Sequence, residues 1–476
     1  MPDLWSSITI DESEPLGSFK EILSLHLENS KNAAITMNIR MDYSSYAIAR
    51  RFSHTHYNAV LTFIAPYSRQ FRHLSVPVMH SGTWEFLQLA APKESDPPQE
   101  LTLESLSLEF AKYYIVGFDD SIARSFLPRL KKLALCVRDR RFAPETLPLP
   151  WGQITELQLD TDKSIDIQTF LNLFTSLESL TIGSIPVFPL HRSFQISLPR
   201  LTTLEVRVPS GIHDIQHISN LLSLISCPSL TELTIEPLSS LEPQALITFE
   251  KSQGCDGLFR GVSHMLSESG CFDTISTFDI HEIPFHYSSL HSLLEPMTGL
   301  KRLSIHRRGH AYADNLAAPV SGLKLAVASG SSCEDTSPVT LPLLKDLHIV
   351  FEGSGYDGDG PRIARAEIEI LGIFESIVIS RLRSHIPLES AVLEFATGSD
   401  QLPFGGNDLE ALRELAREEN AAVQVVWCGT DLVGSRYELG GEDSVGRRKS
   451  VGGFPALRNR VKAWVAKRFG LGKLCR

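Results

Sequence analysis

The sequence predicts an α/β fold assembled from stacked repeats, in which a curved parallel sheet carries helices on its convex side. Three observations carry this reading. A pattern of four apolar residues, apolar-x-x-apolar-x-x-apolar-x-apolar, returns along most of the chain. Its end alternates apolar and polar, the period of a strand with one face in a core. Between copies lie stretches whose apolar residues recur at three and four positions, the stripe of one helical face.

The clear copies are Leu127-Leu130-Leu133-Leu135, Trp151-Ile154-Leu157-Leu159, Phe174-Leu177-Leu180-Ile182, Leu198-Leu201-Leu204-Val206, Cys227-Leu230-Leu233-Ile235, Met297-Leu300-Leu303-Ile305 and Leu341-Leu344-Leu347-Ile349. Weaker ones are Phe71-Leu74-Val76, Leu103-Leu106-Leu108 and Phe272-Ile275-Phe278-Ile280, while Leu393-Phe395 keeps only the end. Counted from the third apolar residue, successive copies are 32, 27, 24, 23, 24, 29, 45, 25, 44 and 46 residues apart. The central steps fall within the roughly 20 to 29 residues of leucine-rich repeats, and the longest are about two periods, holding a decayed copy or an insertion. The fold class is therefore an irregular leucine-rich-repeat solenoid. Each unit uses its neighbours as its core, so such an array grows without a domain boundary.

Each unit reads as helix, turn and short strand. The helix is clearest at Ile215, Ile218, Leu221, Leu222 and Ile225. Gly, Ser and Pro clusters mark 242–270, 307–338 and 352–362 as loops or ornamented connections. Near the end, one amphipathic helix with Asn407 or Asp408 as N-cap precedes a strand from Ala422 to Trp427, which suits a C-terminal cap of the sheet. The organisation expected is a capping region over 1–66, a solenoid with its cap over 67–434, and a basic linker and amphipathic tail over 435–476.

Charge is unevenly placed. The net charge is −11, yet 445–476 contains no Asp or Glu and ten basic residues. Taking those ten from the 45 basic residues leaves 35 against 56 acidic ones, a formal −21. An acidic body argues against general nucleic-acid affinity and gives the tail a separate role. In that tail Phe454, Leu457, Val461, Trp464 and Val465 lie on one helical face among basic residues. Such a helix suits an anionic membrane surface, an acidic partner or packing on the chain's own repeats. "RRKS", 447–450, has the form of a basophilic kinase site or a short nuclear signal.

The seven cysteines are odd in number and scattered, the pattern of a reduced compartment. Acidic residues at Asp3, Asp11, Glu12 and Glu14 stand where a signal peptide needs basic then apolar ones, and no apolar run nears the roughly 18 residues of a membrane span. A cytoplasmic or nuclear protein is expected.

Motifs for catalysis are weak. Gly353-x-Gly355-x-x-Gly358 has the form of a dinucleotide fingerprint, but Asp357 and Asp359 would face the pyrophosphate, and a surface loop explains it as well. The same "DGDG" lacks the further acidic ligands of a calcium loop. His54-x-His56 has no third ligand at metal spacing. The expectation is a binding protein with no catalytic, cofactor or metal residues, against the alternative of an enzyme assembled from distant residues.

At the start, "MPDLWSSITIDESEPLGSFKEILSLHLENSKNAAITMNIRM", Pro2, Leu4, Trp5, Ser6, Ser7 and Ile8 precede a helix-compatible stretch at 23–30 and a strand-compatible one at 34–39. This resembles the segment after the F-box in F-box proteins of mushroom-forming fungi, where an "LW-s-s-I" ending leads through a helix and a strand into irregular leucine-rich repeats. The resemblance spans roughly residues 2 to 395. It implies that the repeats hold a protein substrate while the F-box docks on the adaptor of a cullin-type ubiquitin ligase. The F-box itself would precede Met1, so the adaptor is expected as a partner only with an F-box upstream. The alternatives are a free repeat domain and a repeat scaffold unrelated to ubiquitin. Trp5 reads as a buried cap on the first strand.

If the apolar residues of each strand point inward, their neighbours point out. The outward set includes Glu156, Asp160, Glu205, Arg207, Glu232, Glu236, Asp279, His281, Arg302 and His306. Its middle is acidic and flanked by Lys132 and Arg302, which suits a partner with a basic segment. Solvated strand residues with no partner are the alternative.

Overall fold

The computed structural model describes residues 6–11, 16–30, 33–40, 59–78, 103–110, 127–137, 149–161, 166–184, 195–209, 212–238, 254–283, 287–310, 341–354, 360–383, 388–396, 409, 412–414, 422–427 and 430–433. Met1–Ser435 forms one compact unit and Arg436–Arg476 a second. The basic tail and "RRKS" belong to the second unit and lie outside the described residues, as do Trp5, His54 and His56.

The apolar template sets the turn before each strand. Its first two apolar positions are joined by one backbone bond: Leu130 donates to the Leu127 carbonyl at 3.1 Å, and Leu201 to Leu198 at 3.2 Å. Leu230 bonds to Cys227, Leu300 to Met297 and Leu344 to Leu341 in the same way. An i-to-i+3 bond brings both side chains to one side of the chain, and all of these are buried.

The residue after the second apolar position then links neighbouring repeats. The Lys131 carbonyl accepts from Thr155 at 2.9 Å and Glu156 at 3.0 Å. The carbonyls of Thr155, Glu178, Thr202, Thr231, Ser276, Lys301 and Lys345 each accept two amides of the next repeat in the same arrangement. One oxygen thus uses both lone pairs, and two donors at the strand entry are satisfied.

From that entry the strands run in register. They are β1 (Ser7–Asp11), β2 (Ile35–Arg40), β3 (Phe71–Val78), β4 (Ser105–Phe110), β5 (Lys132–Val137), β6 (Glu156–Thr161), β7 (Ser179–Ile182), β8 (Ile196–Ser197), β9 (Thr203–Val208), β10 (Ile225–Ser226), β11 (Glu232–Pro237), β12 (Thr277–His281), β13 (Arg302–His310), β14 (Asp346–Ser354), β15 (Ser390–Phe395), β16 (Ala422–Trp427) and β17 (Thr430–Asp431). All but β8 and β10 form one open sheet of fifteen strands in chain order. Fourteen of these are mutually parallel, and β17 returns antiparallel on β16. The architecture is thus the α/β repeat solenoid that the apolar template predicts.

The third and fourth template positions make two continuous rows of core. Leu133, Leu157, Leu180, Leu204 and Leu233 align across β5 to β11, as do Leu135, Leu159, Ile182, Val206 and Ile235. All are buried. Each such side chain contributes on the order of 1.5–3 kcal/mol by leaving water.

The weaker copies are full members of the ladder, at β3, β4 and β12. The long steps resolve as insertions, because β11 pairs directly with β12, β13 with β14 and β14 with β15. Part of what reads as loop is ordered. Within 242–270 lies the helix Gly254–Ser269, whose Leu258, Phe259, Val262, Met265 and Leu266 are buried. Gly, Ser and polar residues masked this helix because they supply its contact: Ser219, on the helix Ile212–Leu222, donates to the Gly257 carbonyl at 2.6 Å. Residues 307–310 and 352–354 extend β13 and β14, and the helix Gly360–Arg383 begins inside 352–362. Beyond it, only 409 and 412–414 of the amphipathic helix expected before β16 are described, and Asn407 and Asp408 lie outside them.

The predicted stripe Ile215, Ile218, Leu221, Leu222 and Ile225 is wholly buried. Two-residue strands β8 and β10 pair with each other just before the copies at Leu198 and Cys227. At the N-terminus, the helix covers Leu16–Ser30, longer than the stretch from 23, and β1 pairs with β2. Among the described residues, no helix is long and apolar enough to cross a membrane.

Candidate functional site: the open face of the sheet

Residues between the core positions form three rows on the opposite face of the sheet. Strand register fixes which of them meet. One row runs Glu205, Thr234, Asp279, Ser304, His348 and Val392, one residue from each of β9 and β11 to β15. A parallel row includes Arg207 beside Glu236, His281 beside His306, and Val350 beside Glu394.

Glu156 is paired with Lys132 at 2.7 Å, and both side chains are about half exposed, so Lys132 is occupied rather than a free basic flank. Asp160 accepts the Ser184 amide at 3.1 Å and lies against Gly183, where it helps hold the chain leaving β7. These two residues are therefore set apart from the others by their local duties.

In the middle of the face, Arg207 Nε lies 2.6 Å from Glu205 and 3.0 Å from Glu236. Glu205 also accepts from the Thr181 hydroxyl at 3.2 Å, and Glu232 from the Thr203 hydroxyl at 3.3 Å. Burial and the neighbouring Glu205 raise the Glu236 carboxyl, against the lowering pull of Arg207. One guanidinium serves two carboxylates here, and the group remains short of positive charge.

Asp279 stands on the next strand. Burial raises its pKa, against the opposing fields of Arg302 and His281. Its Oδ1 is buried without a hydrogen-bond partner. On either side in its row are short side chains, Thr234 and Ser304, and Ser304 is only 5% exposed. Arg302 itself is exposed.

His281 and His306 lie with ring centroids 5.1 Å apart, and His306 and His348 lie edge to face at 6.3 Å. Burial first, then the charges of His281 and His348, lower the His306 pKa to about 4. Burial lowers that of His281 as well. His348 Nε2 approaches Glu394 at 3.8 Å, and that contact lowers the Glu394 carboxyl. At neutral pH the imidazoles of His281 and His306 are thus uncharged. Among the described residues, no group of three or more His, Cys, Asp and Glu is placed to hold a metal ion.

The structure therefore brings together Glu205, Arg207, Glu236, Asp279, His281 and His306, with Glu232 and Arg302 on the adjacent row. His348 and Glu394 complete the group. Both occupy the polar slot between core residues, in Leu347-His348-Ile349 and Leu393-Glu394-Phe395, so the alternation that exposes Asp279 and His306 identifies them too. Gly353 lies inside β14 opposite Gly309, not at a strand-to-helix turn, while Gly355 and Gly358 lie outside the described residues.

No protein-family model matches the chain, and no curated protein matches it. Among solved structures, the chain is similar to a protein from Bacteroides fragilis at 11% identity, over 66% of this chain and 81% of that one, with a TM-score of 0.28. The repeat architecture rests on the strand ladder itself and not on that likeness.

Proposed function

We propose that this chain is a protein-recognition domain that binds its partner on the open face of the sheet. The observation that carries the reading is the fourteen-strand parallel ladder, with one face spent on the core and the other presenting rows that are mostly polar from β6 to β15. Extended concave surfaces of this kind are what repeat solenoids use for binding. The reading is of a binding protein rather than an enzyme. Among the described residues Cys227 and Cys271 are thiols outside any disulfide, which supports the cytoplasm or nucleus, where thiols stay reduced.

The finer reading is that the domain acts as the substrate-holding part of an F-box protein of a cullin-type ubiquitin ligase. Support for it is the resemblance of the segment around Ser6, Ser7 and Ile8, together with β1, the helix Leu16–Ser30 and β2 leading into the repeats.

The test reverses Glu232 and Glu236 to Lys and compares partner capture in cells at matched thermal stability. Loss of capture is expected; capture equal to the parent protein removes the open face as the binding site. Co-purification of the ligase adaptor with the native protein from its host supports the ubiquitin reading. Its absence during proteasome inhibition overturns that reading alone.

A further inference from the structure

The polar face is not uniform, and its second half has a distinct composition. Among the described side chains of its three rows on β9 to β15 it carries Glu205, Glu232, Glu236, Asp279, Asp346 and Glu394 against Arg207 and Arg302, while further along β13 and β14 Arg308 stands opposite Glu352. Arg207 is already bound by two of those carboxylates. A side chain that brought positive charge to Asp279 would act through its field and through the outer oxygen, because Oδ1 is buried and has no partner.

Steric and aromatic features choose between cations. Thr234 flanks Asp279 with a short, part-exposed side chain, while Ser304 on its other side is covered by its neighbours, so the sheet is low on the Thr234 side. Immediately beside that low ground stand the rings of His281 and His306, 5.1 Å apart and tilted by 40°. Being neutral, they add no repulsion. A guanidinium is planar, weakly hydrated and stacks on flat rings, whereas an ammonium is a strongly hydrated point charge.

We propose that the face of β11 to β14 is a docking site for an arginine of a partner protein, with the guanidinium paired to Asp279 and lying against His281 and His306. The inference rests on the recognition reading above and adds to it the chemistry of the bound residue. Glu236 and Glu394, at the two sides, favour further basic residues next to that arginine in the partner segment.

The experiment uses the full chain, immobilised, and a random-peptide library displayed on phage. Selected peptides are then measured by fluorescence polarisation, as parent and with each arginine replaced by lysine or citrulline. Enrichment of arginine is expected, with Arg to Lys and Arg to citrulline each weakening binding about tenfold or more. Asp279→Asn should weaken the parent peptide about tenfold and leave the citrulline peptide unchanged, with His306→Ala acting in the same direction. Thr234→Trp and Thr277→Trp, checked for an unaltered melting temperature, block the face. Peptides that lack arginine, or that ignore Asp279→Asn, yet are lost on both blocked variants, overturn the arginine assignment and leave the recognition face standing. Peptides that bind both blocked variants as well as the parent overturn both, as does a library that yields no binder.

Discussion

Gly261 lies so close to Ser219 that a Cβ added to it would stand 2.6 Å from the Ser219 carbonyl oxygen. The helices Gly254–Ser269 and Ile212–Leu222 therefore meet backbone to backbone, helped by the bond from Ser219 Oγ to Gly257. Gly261→Ala gains helix propensity, about 1 kcal/mol, but forces the two helices apart, and overpacking costs about 1–3 kcal/mol. Net destabilisation is expected, larger for Gly261→Val. Urea unfolding measures it, and a stabilised Gly261→Ala protein would contradict the contact.

Core positions in the middle of the array should be the most costly to truncate. Leu204 and Leu233 are adjacent in one row and fully buried. Each change to Ala should cost about 2–5 kcal/mol, through lost burial and the cavity left behind. Calorimetry on both single variants and the double variant should show coupling, because the two residues share a cavity wall.

Acid should act through His306. Its pKa in the folded protein is lowered to about 4 from an ordinary 6.5, so the unfolded chain binds the proton first as pH falls. The stability this neutral ring contributes is complete above pH about 6.5 and is lost as pH drops towards 4. Because the ring is partly exposed, screening reduces the effect to about 1 kcal/mol. His306→Gln should flatten the pH dependence of the melting temperature between pH 7 and pH 4.5. An unchanged slope would place the ring in solvent.

Removing the shared cation should expose the repulsion it masks. Arg207→Gln leaves Glu205 and Glu236 facing each other across β9 and β11, at a cost of about 1 kcal/mol near neutral pH. Glu236, already raised by burial and by Glu205, takes up a proton on acidification. The variant should therefore recover towards the parent protein as pH falls, as followed by thermal denaturation at several pH values.

Much of the fold was legible because two patterns coincide at each repeat: the turn pair, as in Leu198 and Leu201, and the alternating strand, as in Leu204 and Val206. Copies that lost one turn residue, such as Leu103 with Leu106 and Leu108, kept enough alternation to be read. What escaped was structure that turn-forming residues disguise or that is too short to show a period. The helix Gly254–Ser269 carries an apolar stripe at Leu258, Phe259, Val262, Met265 and Leu266, but its glycines and serines, needed for close approach, read as loop, and β8 and β10 are only two residues long. At the candidate site, alternation gave the outward residues as far as His306 and held for His348 and Glu394 as well. Their company was not legible. That Arg207 serves two acids, that Asp160 serves a backbone amide and that His281 meets His306 depends on side-chain reach across strands, which spacing along one chain does not encode.

Finally, β17 is only two residues long and turns back on β16. A parallel ladder that ended on a full strand would offer a row of open donors and acceptors to the first strand of another molecule, and stacking could continue into fibres. A short reversed strand leaves little template for such addition, which is one way natural sheets avoid aggregation at an edge. Among the described residues the hairpin covers Val426 and Trp427 at the end of β16, and so shortens the edge that this last parallel strand presents.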